Sequence, residues 1–422
     1  MKVSIQTLGS LGDVMPYITT AKRLKVMGID ISILAPRDYT DIIAAHGIDA
    51  DTPPDFSLHA WNREAEERGT LSGPVTFFRD WNDMVVPHVA DIMERCLSAS
   101  EGADVILANG ICAPARLAAE AQGIPYILSA LQPVISPTRH VPCAMVWRGW
   151  QGGLANRQGY GAVWAARRLM ERALKPHRER LGLTGHPSFS DTRTHLGRPL
   201  PRVTSVSPAL MPQRPADWRS NDHLFAYPSM GLDDTSSMPA DLFAASDPEG
   251  PPVFVSLGSL ERDTGSGATI ALFRALRRTG LRAIVSAGSE AGVPADLLDG
   301  HRIVPHVSHA RVFPECRAVI HHGGAGTADT AIRSASPQIV LPSVLDQFWH
   351  AHRLAELGVA PPFPGQGKMD EDWFVRALEF VGQPGVSRKA AGLMIDHKDR
   401  DGAMELAEFI RDATKRFRQS GQ

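Results

Sequence analysis

The chain has no C-x-x-C pair. Its four cysteines, Cys96, Cys112, Cys143 and Cys316, are scattered through 422 residues, which argues against a disulfide framework or a zinc site and fits a reducing cytoplasm. Charge of one sign is lacking too: 44 Lys and Arg stand against 46 Asp and Glu, so no nucleic-acid partner is expected. No stretch approaches the ~20 uninterrupted apolar residues of a membrane span. The first residues read as a strand entering a glycine turn, not as a secretory leader. The turn Gly9-Ser10-Leu11-Gly12 lacks G-x-G-x-x-G spacing, and G-x-x-x-x-G-K-[ST] is missing throughout, which weakens hydride transfer and nucleotide hydrolysis as functions. The histidines show no metal-ligand spacing.

What is present is the composition of a globular protein, 43% apolar and 21% charged, in a chain too long for one ordinary core. Short apolar runs alternate with helical patterns. Val3 to Leu8 reads as a strand, Met15 to Met27 as a helix stopped by Gly28, and Ala113 to Gln122 as a helix stopped by Gly123. From Ser207 to Pro252 prolines fall among Asp, Ser and Gly, the mark of a stiff linker. A second alternating half follows, with strands at Val253 to Leu257, Arg282 to Ser286, Arg302 to Val304, Ala318 to His321 and Gln338 to Pro342. The expectation is α/β: two doubly wound, Rossmann-like domains facing each other across a cleft. Residues 1–215 would form the first, 216–250 the linker and 251–402 the second. A C-terminal helix, 403–422, would pack back towards the first domain.

The most informative segment is His321-His322-Gly323-Gly324-Ala325-Gly326-Thr327, between a strand and a helix. Three glycines in four positions let backbone approach a ligand, and the helix expected from Thr327 turns free N–H groups and its dipole on the loop. That is an anion site suited to phosphate; the alternative is a tight turn with a packing histidine. Asp346-Gln347 follows the next strand and suits vicinal hydroxyls, since Asp accepts two hydrogen bonds and Gln donates and accepts. Its alternative is a helix N-cap at Asp346.

With these segments in place, the sequence resembles the family 1 glycosyltransferases of GT-B fold, most of all the bacterial branch acting on natural products, lipids and sterols. The resemblance covers nearly the whole chain. Its marks are Gly9-Ser10-Leu11-Gly12-Asp13-Val14-Met15-Pro16, Val255-Ser256-Leu257-Gly258-Ser259, the His322 to Thr327 loop, and Asp346-Gln347 with His352-Arg353-Leu354 behind. It implies that His322, Gly324, Ala325, Gly326 and Thr327 hold the donor diphosphate with Ser259, and that Asp346 and Gln347 bind the donor sugar. The family's base-cradling stretch falls on His306-Val307-Ser308-His309, where His306 would stack on the base and the Val307 backbone would read its edge. Here the sequence departs from the family pattern, which has an aromatic residue, Pro and Gln.

The first loop, with Gly9, Ser10 and Gly12, is expected to face the acceptor. It has no histidine, and the bacterial pattern offers Asp13 as general base; the competing role is support of the helix N-terminus. The resemblance thus implies an inverting transferase moving a hexose from a UDP- or dTDP-sugar to a hydroxyl of a hydrophobic small molecule or lipid. No cofactor or metal is expected, and no D-x-D metal motif is evident in the donor half; Asp370-Glu371-Asp372 lies beyond the sugar motif. Trp147, Trp150, Arg148 and Arg157 could line an acceptor pocket, touch a membrane surface as a peripheral contact, or belong to an amphipathic helix covering the first domain. The rival functions are a UDP-sugar epimerase of the same architecture and a non-catalytic activator protein of glycosyltransferase fold.

Overall fold

The computed structural model describes all residues except 61–81, 83–84, 147–151, 184–195, 231–241, 244–249, 258–266, 291, 306, 366 and 420–422. Two compact units emerge. The first comprises Met1–Ser229 with Asp401–Gln422, the second Met230–Arg400.

In the first unit the chain runs β1 (Lys2–Gln6), α1 (Leu11–Val26), β2 (Asp30–Leu34), α2 (Thr40–Ala45), β3 (Asp49–Ala50), α3 (Val89–Ala99), β4 (Val105–Asn109), α4 (Ala113–Gln122), β5 (Tyr126–Ala130), α5 (Gly153–Arg180), β6 (Arg202–Ser205) and β7 (Asp222–Phe225). The sheet order is β3-β2-β1-β4-β5-β6-β7, every pairing parallel. Central strands such as β4 and β5 are buried at every residue, as a sheet covered on both faces requires. Order reverses between β1 and β4, so the loops after these two strands flank the switch point where such sheets bind ligands.

The second unit repeats the plan with β8 (Val253–Ser256), α6 (Gly267–Thr279), β9 (Ala283–Ser286), α7 (Ala295–Leu298), β10 (Arg302–Val304), α8 (His309–Val312), β11 (Ala318–His321), α9 (Ala325–Arg333), β12 (Gln338–Val340), α10 (Gln347–Glu356), α11 (Glu371–Val381) and α12 (Pro384–His397). The order β10-β9-β8-β11-β12 is again parallel. Its strands alternate by period two between two cores. Val253, Val255 and Val285 join Leu272 and Phe374, while Phe254 and Ile284 join Phe313.

The last helix, α13 (Gly402–Gln419), belongs to the first unit. Leu406, Ala407 and Ile410 enter the core that holds Leu24 and Ile18. Arg23 pairs with Asp401 at 2.8 Å, and the Ala226 N–H donates to Glu405 Oε2 at 3.0 Å. A Cβ at Gly402 would lie 2.1 Å from the Ala226 carbonyl oxygen, so only glycine permits this approach.

Three expectations need correction. The linker does not begin at residue 216, because Asp222–Phe225 is the seventh strand of the first sheet, paired with β6. Helix α1 starts at Leu11 rather than Met15, because Ser10 and Asp13 close a capping box ahead of it. Helix α9 starts at Ala325 rather than Thr327, with Gly324 as N-cap.

Candidate active site

In the second unit, β11 and β12 are neighbours, with His321 paired to Val340. Their carboxyl ends therefore present two loops side by side. The first leaves His321 through Gly323, at φ +93°, and enters α9 at Gly324. No side chain caps α9, which leaves the first-turn N–H groups of Ala325, Gly326 and Thr327 directed out of the helix end. A Cβ on Gly324 would lie 2.6 Å from His322 Nε2. The imidazole thus lies across the start of α9, and the missing side chain at Gly324 makes room for it.

His321 has a different job. Its Nδ1 accepts from the Gly323 N–H at 3.1 Å, so its Nε2–H faces Gln338 Oε1 at 2.9 Å. Burial pushes its pKa down to about 3, so it stays neutral. Of the two histidines, His321 braces the turn and His322 is the one at the helix mouth.

The second loop runs from Leu341 to Asp346. Gln347 Oε1 accepts three hydrogen bonds, from Ser343 N (2.9 Å), Ser343 Oγ (3.1 Å) and Val344 N (3.1 Å). Three donors on one atom fix the orientation of the amide. They also hold Leu345 at φ +43°, a strained conformation that costs of order 1–3 kcal/mol. The expectation that Gln347 simply reads sugar hydroxyls is thereby narrowed: its carbonyl builds the loop, and only its NH₂ has donors to offer a ligand.

Asp346 occupies the N-cap position of α10 but makes no side-chain cap bond, so the helix-cap alternative does not use its carboxylate. The side chain is 21% exposed, yet burial pushes its pKa up to about 6. His350 Nδ1 lies 3.9 Å from Asp346 Oδ2, but burial holds His350 down to about 4. Both shifts disfavour charge, so this is a neutral imidazole beside a carboxylate and not an ion pair. His350 was not singled out by the sequence; only the i, i+4 spacing from Asp346 signals it.

Ser259 and His306 lie outside the described residues, as do Trp147, Arg148 and Trp150. The Val307 side chain is buried in the core with Phe254 and Phe313. His309 stacks on Phe313 with ring centroids 4.7 Å apart. Asp370 caps α11 through the Trp373 N–H at 2.8 Å, while Glu371 and Asp372 pair with Arg278, so this acidic run is occupied structurally.

In the first unit, the β1–α1 loop is tied to the β4 end. Asn109 Nδ2 donates to Thr7 Oγ1 at 2.7 Å, and Asn109 Oδ1 accepts from the Cys112 N–H at 3.1 Å. Asp13 Oδ2 accepts from Ser10 N at 2.9 Å and Ser10 Oγ at 3.1 Å. A Cβ at Gly9 would stand 2.3 Å from Asp13 Oδ2, so glycine is required beneath the carboxylate. The helix-supporting role of Asp13 is therefore present. Gly12 contributes its carbonyl: Pro16 has no N–H for it, and Tyr227 OH donates instead at 3.4 Å. Tyr17, one turn beyond Asp13, is fully buried and its hydroxyl is pushed up by that burial, which removes it as a competing base.

Comparisons with known proteins place the chain in a family. Residues 283–408 match the family model for the erythromycin biosynthesis protein CIII-like C-terminal domain. The chain is 30% identical over 381 residues to a vancomycin aglycone glucosyltransferase from Amycolatopsis orientalis, covering 86% of each chain. It is 24% identical to a sterol 3-beta-glucosyltransferase from Arabidopsis thaliana over 95% of this chain and 66% of that one. A solved structure of the spinosyn rhamnosyltransferase SpnG with thymidine diphosphate superposes with a TM-score of 0.67, at 20% identity, over 97% of this chain and 100% of that one. Two parallel α/β units of this plan are the GT-B fold of those structures, and the chain belongs to the family 1 glycosyltransferases. It is a nucleotide-sugar-dependent glycosyltransferase; these relatives are transferases, and the epimerase reading finds no support among them.

Proposed function

We propose that the second unit binds a UDP- or dTDP-sugar and that the first supplies a hydroxylated natural product, lipid or sterol-like acceptor, with inversion at the anomeric carbon. The observation that carries this reading is the contact between the two donor loops. A Cβ at Gly323 would meet Gln347 O at 3.1 Å, so the loop before α9 packs on the start of α10, which Asp346 precedes. A diphosphate fits the helix mouth and a sugar fits beside Asp346.

In the reaction, the acceptor oxygen loses its proton to Asp13 and attacks the anomeric carbon from the face opposite the diphosphate. The bond from the anomeric carbon to the diphosphate oxygen breaks, and its electron pair leaves on the diphosphate. His322 and the N–H groups of Ala325, Gly326 and Thr327 stabilise that developing charge, an electrostatic role that proceeds without a metal. Ser259, His306 and Val307 complete phosphate and base contacts in this reading. The scattered cysteines support a cytoplasmic enzyme; no described helix is long and apolar enough to cross a membrane.

The test is a transfer assay with UDP- and dTDP-hexoses, a panel of hydroxylated aglycones and sterols, and EDTA throughout. Product of inverted anomeric configuration, formed in EDTA, is expected. Retained configuration, or conversion of donor without acceptor, would contradict it.

A further inference from the structure

A cavity of about 250 Å³ lies in the first unit between α5 and the β5–β7 edge of the sheet. That is a little below the roughly 300–1,000 Å³ of most ligand sites. Its wall carries four guanidinium groups, Arg157, Arg167, Arg202 and Arg219, and two carboxylates, Asp217 and Asp222.

Both carboxylates are committed to the wall itself. Asp222 Oδ1 accepts from Arg202 Nε at 2.6 Å and Ser136 Oγ at 2.8 Å, and its Oδ2 accepts from Arg202 Nη2 at 3.0 Å and Arg219 N at 3.0 Å. The pair is almost fully buried and cancels Arg202. Asp217 is held by Thr138 Oγ1 at 2.6 Å and Arg139 N at 2.9 Å. Those bonds keep its carboxyl below the usual range despite some desolvation, so it stays ionised. Arg157 and Arg219 then face the Asp217 carboxylate, so these three groups leave the wall with a surplus of positive charge.

The remaining lining is apolar: Leu128, Val134, Ile135 and Val163, with the rings of Tyr160 and Trp164. Tyr160 OH donates to the Val141 carbonyl at 3.0 Å, so this hydroxyl is already engaged. Arg168 stacks on Trp164 at 5.0 Å, which fixes that ring on α5.

The cavity also adjoins the acceptor loop. A Cβ on Gly110 would lie 3.6 Å from Arg167 Nη2. Gly110 follows Asn109, whose amide is bonded to Thr7 in the loop that leads to Asp13. The arginine side of the cavity thus borders the segment expected to meet the acceptor hydroxyl.

We infer that the acceptor carries a carboxylate on an apolar, ring-sized body, with the carboxylate read by Arg157 and Arg219 and the body held against Tyr160 and Trp164. Guanidinium groups match a carboxylate through paired, charge-assisted hydrogen bonds, and an apolar wall strengthens them by excluding water. This inference rests on the glycosyltransferase reading of the first unit as the acceptor side.

The test uses a hydroxynaphthoic acid and its methyl ester, titrated calorimetrically into the whole chain and into an Arg157→Gln, Arg219→Gln double variant. The wild type should bind the acid at least about tenfold more tightly than the ester, and the double variant should lose that preference while melting at nearly the same temperature. Equal binding of acid and ester, failure to bind the acid, or a preference that survives in the double variant would overturn the inference. Thymidine and uridine diphosphate binding are read on the same preparations. Intact nucleotide binding without a carboxylate preference refutes the cavity assignment alone; absent nucleotide binding refutes the transferase reading beneath it.

Discussion

Gly323 lies directly against Gln347: a Cβ there would stand 3.1 Å from the Gln347 carbonyl oxygen, 3.4 Å from its Cβ and 2.8 Å from a Val340 methyl. With φ at +93° as well, no L side chain fits. Gly323→Ala should therefore disturb both donor loops at once, at a cost of about 1–3 kcal/mol in stability. Affinities for the free nucleoside diphosphate and for the intact nucleotide sugar should fall together. Calorimetric titration of each ligand, beside a thermal melt, checks this; loss of sugar recognition with diphosphate binding intact would show that the loops act independently.

Asp346 separates sugar from nucleotide. Asp346→Asn should weaken the intact nucleotide sugar by roughly 1–3 kcal/mol, the worth of hydrogen bonds to a charged acceptor, and leave free diphosphate affinity nearly unchanged. Because burial raises this carboxyl to about 6, the wild type should also lose nucleotide-sugar affinity as pH falls through about 6, where the acceptor becomes a neutral acid. The Asn variant should lack that step. Equal weakening of the free diphosphate would place Asp346 in loop structure instead.

Asp13→Asn is the test of the base. Asn can still accept from Ser10 N and Oγ, so the capping box should survive within about 1 kcal/mol. Turnover should fall about 10²–10⁴-fold if Asp13 takes the acceptor proton, with donor affinity unchanged. Near-normal turnover would leave Asp13 with its helix role alone.

The architecture of both halves is legible because strand and helix periods alternate and glycines such as Gly28 and Gly123 stop helices by adopting positive φ. The donor loop is legible for the same local reason. What sequence could not supply is who bonds to whom. His321 and His322 are adjacent letters, yet one is a neutral brace and the other lies across the helix mouth. Gln347 reads as a sugar ligand, and the sequence did not show that its carbonyl also accepts from Ser343 and Val344. Strands β6 and β7 were hidden because they are four residues each, and β7 lies within the proline-rich stretch, where local propensity says linker and only tertiary pairing says sheet. Residues 157 to 167 show arginines, but their convergence on one cavity with Arg219 depends on a fold of β6 and β7 that no local pattern announces.

Acid should destabilise the second unit. His321 and His350 are held down to about 3 and about 4, whereas the unfolded chain takes up protons near 6.5. Below that value the unfolded state binds protons the folded state refuses, so stability falls as pH drops from about 6.5 towards 4. Each histidine can add up to about 1.4 kcal/mol per pH unit to that slope. His321→Asn should lower stability at neutral pH through its lost bond to Gln338, yet flatten the acid slope. Melts from pH 8 to about 4 check this; an unchanged slope would mean that other groups govern acid unfolding.

The most direct measurement is nucleotide binding by the wild type and His322→Ala, read by calorimetry with uridine diphosphate, thymidine diphosphate and NAD. The wild type should bind at least one of the two diphosphates and prefer it to NAD. His322→Ala should lose about tenfold or more of that affinity, the worth of one charge-assisted hydrogen bond at the mouth of α9. Equal diphosphate binding by both proteins would remove His322 from the site, and tighter binding of NAD than of either diphosphate would contradict donor binding at the glycine loop altogether.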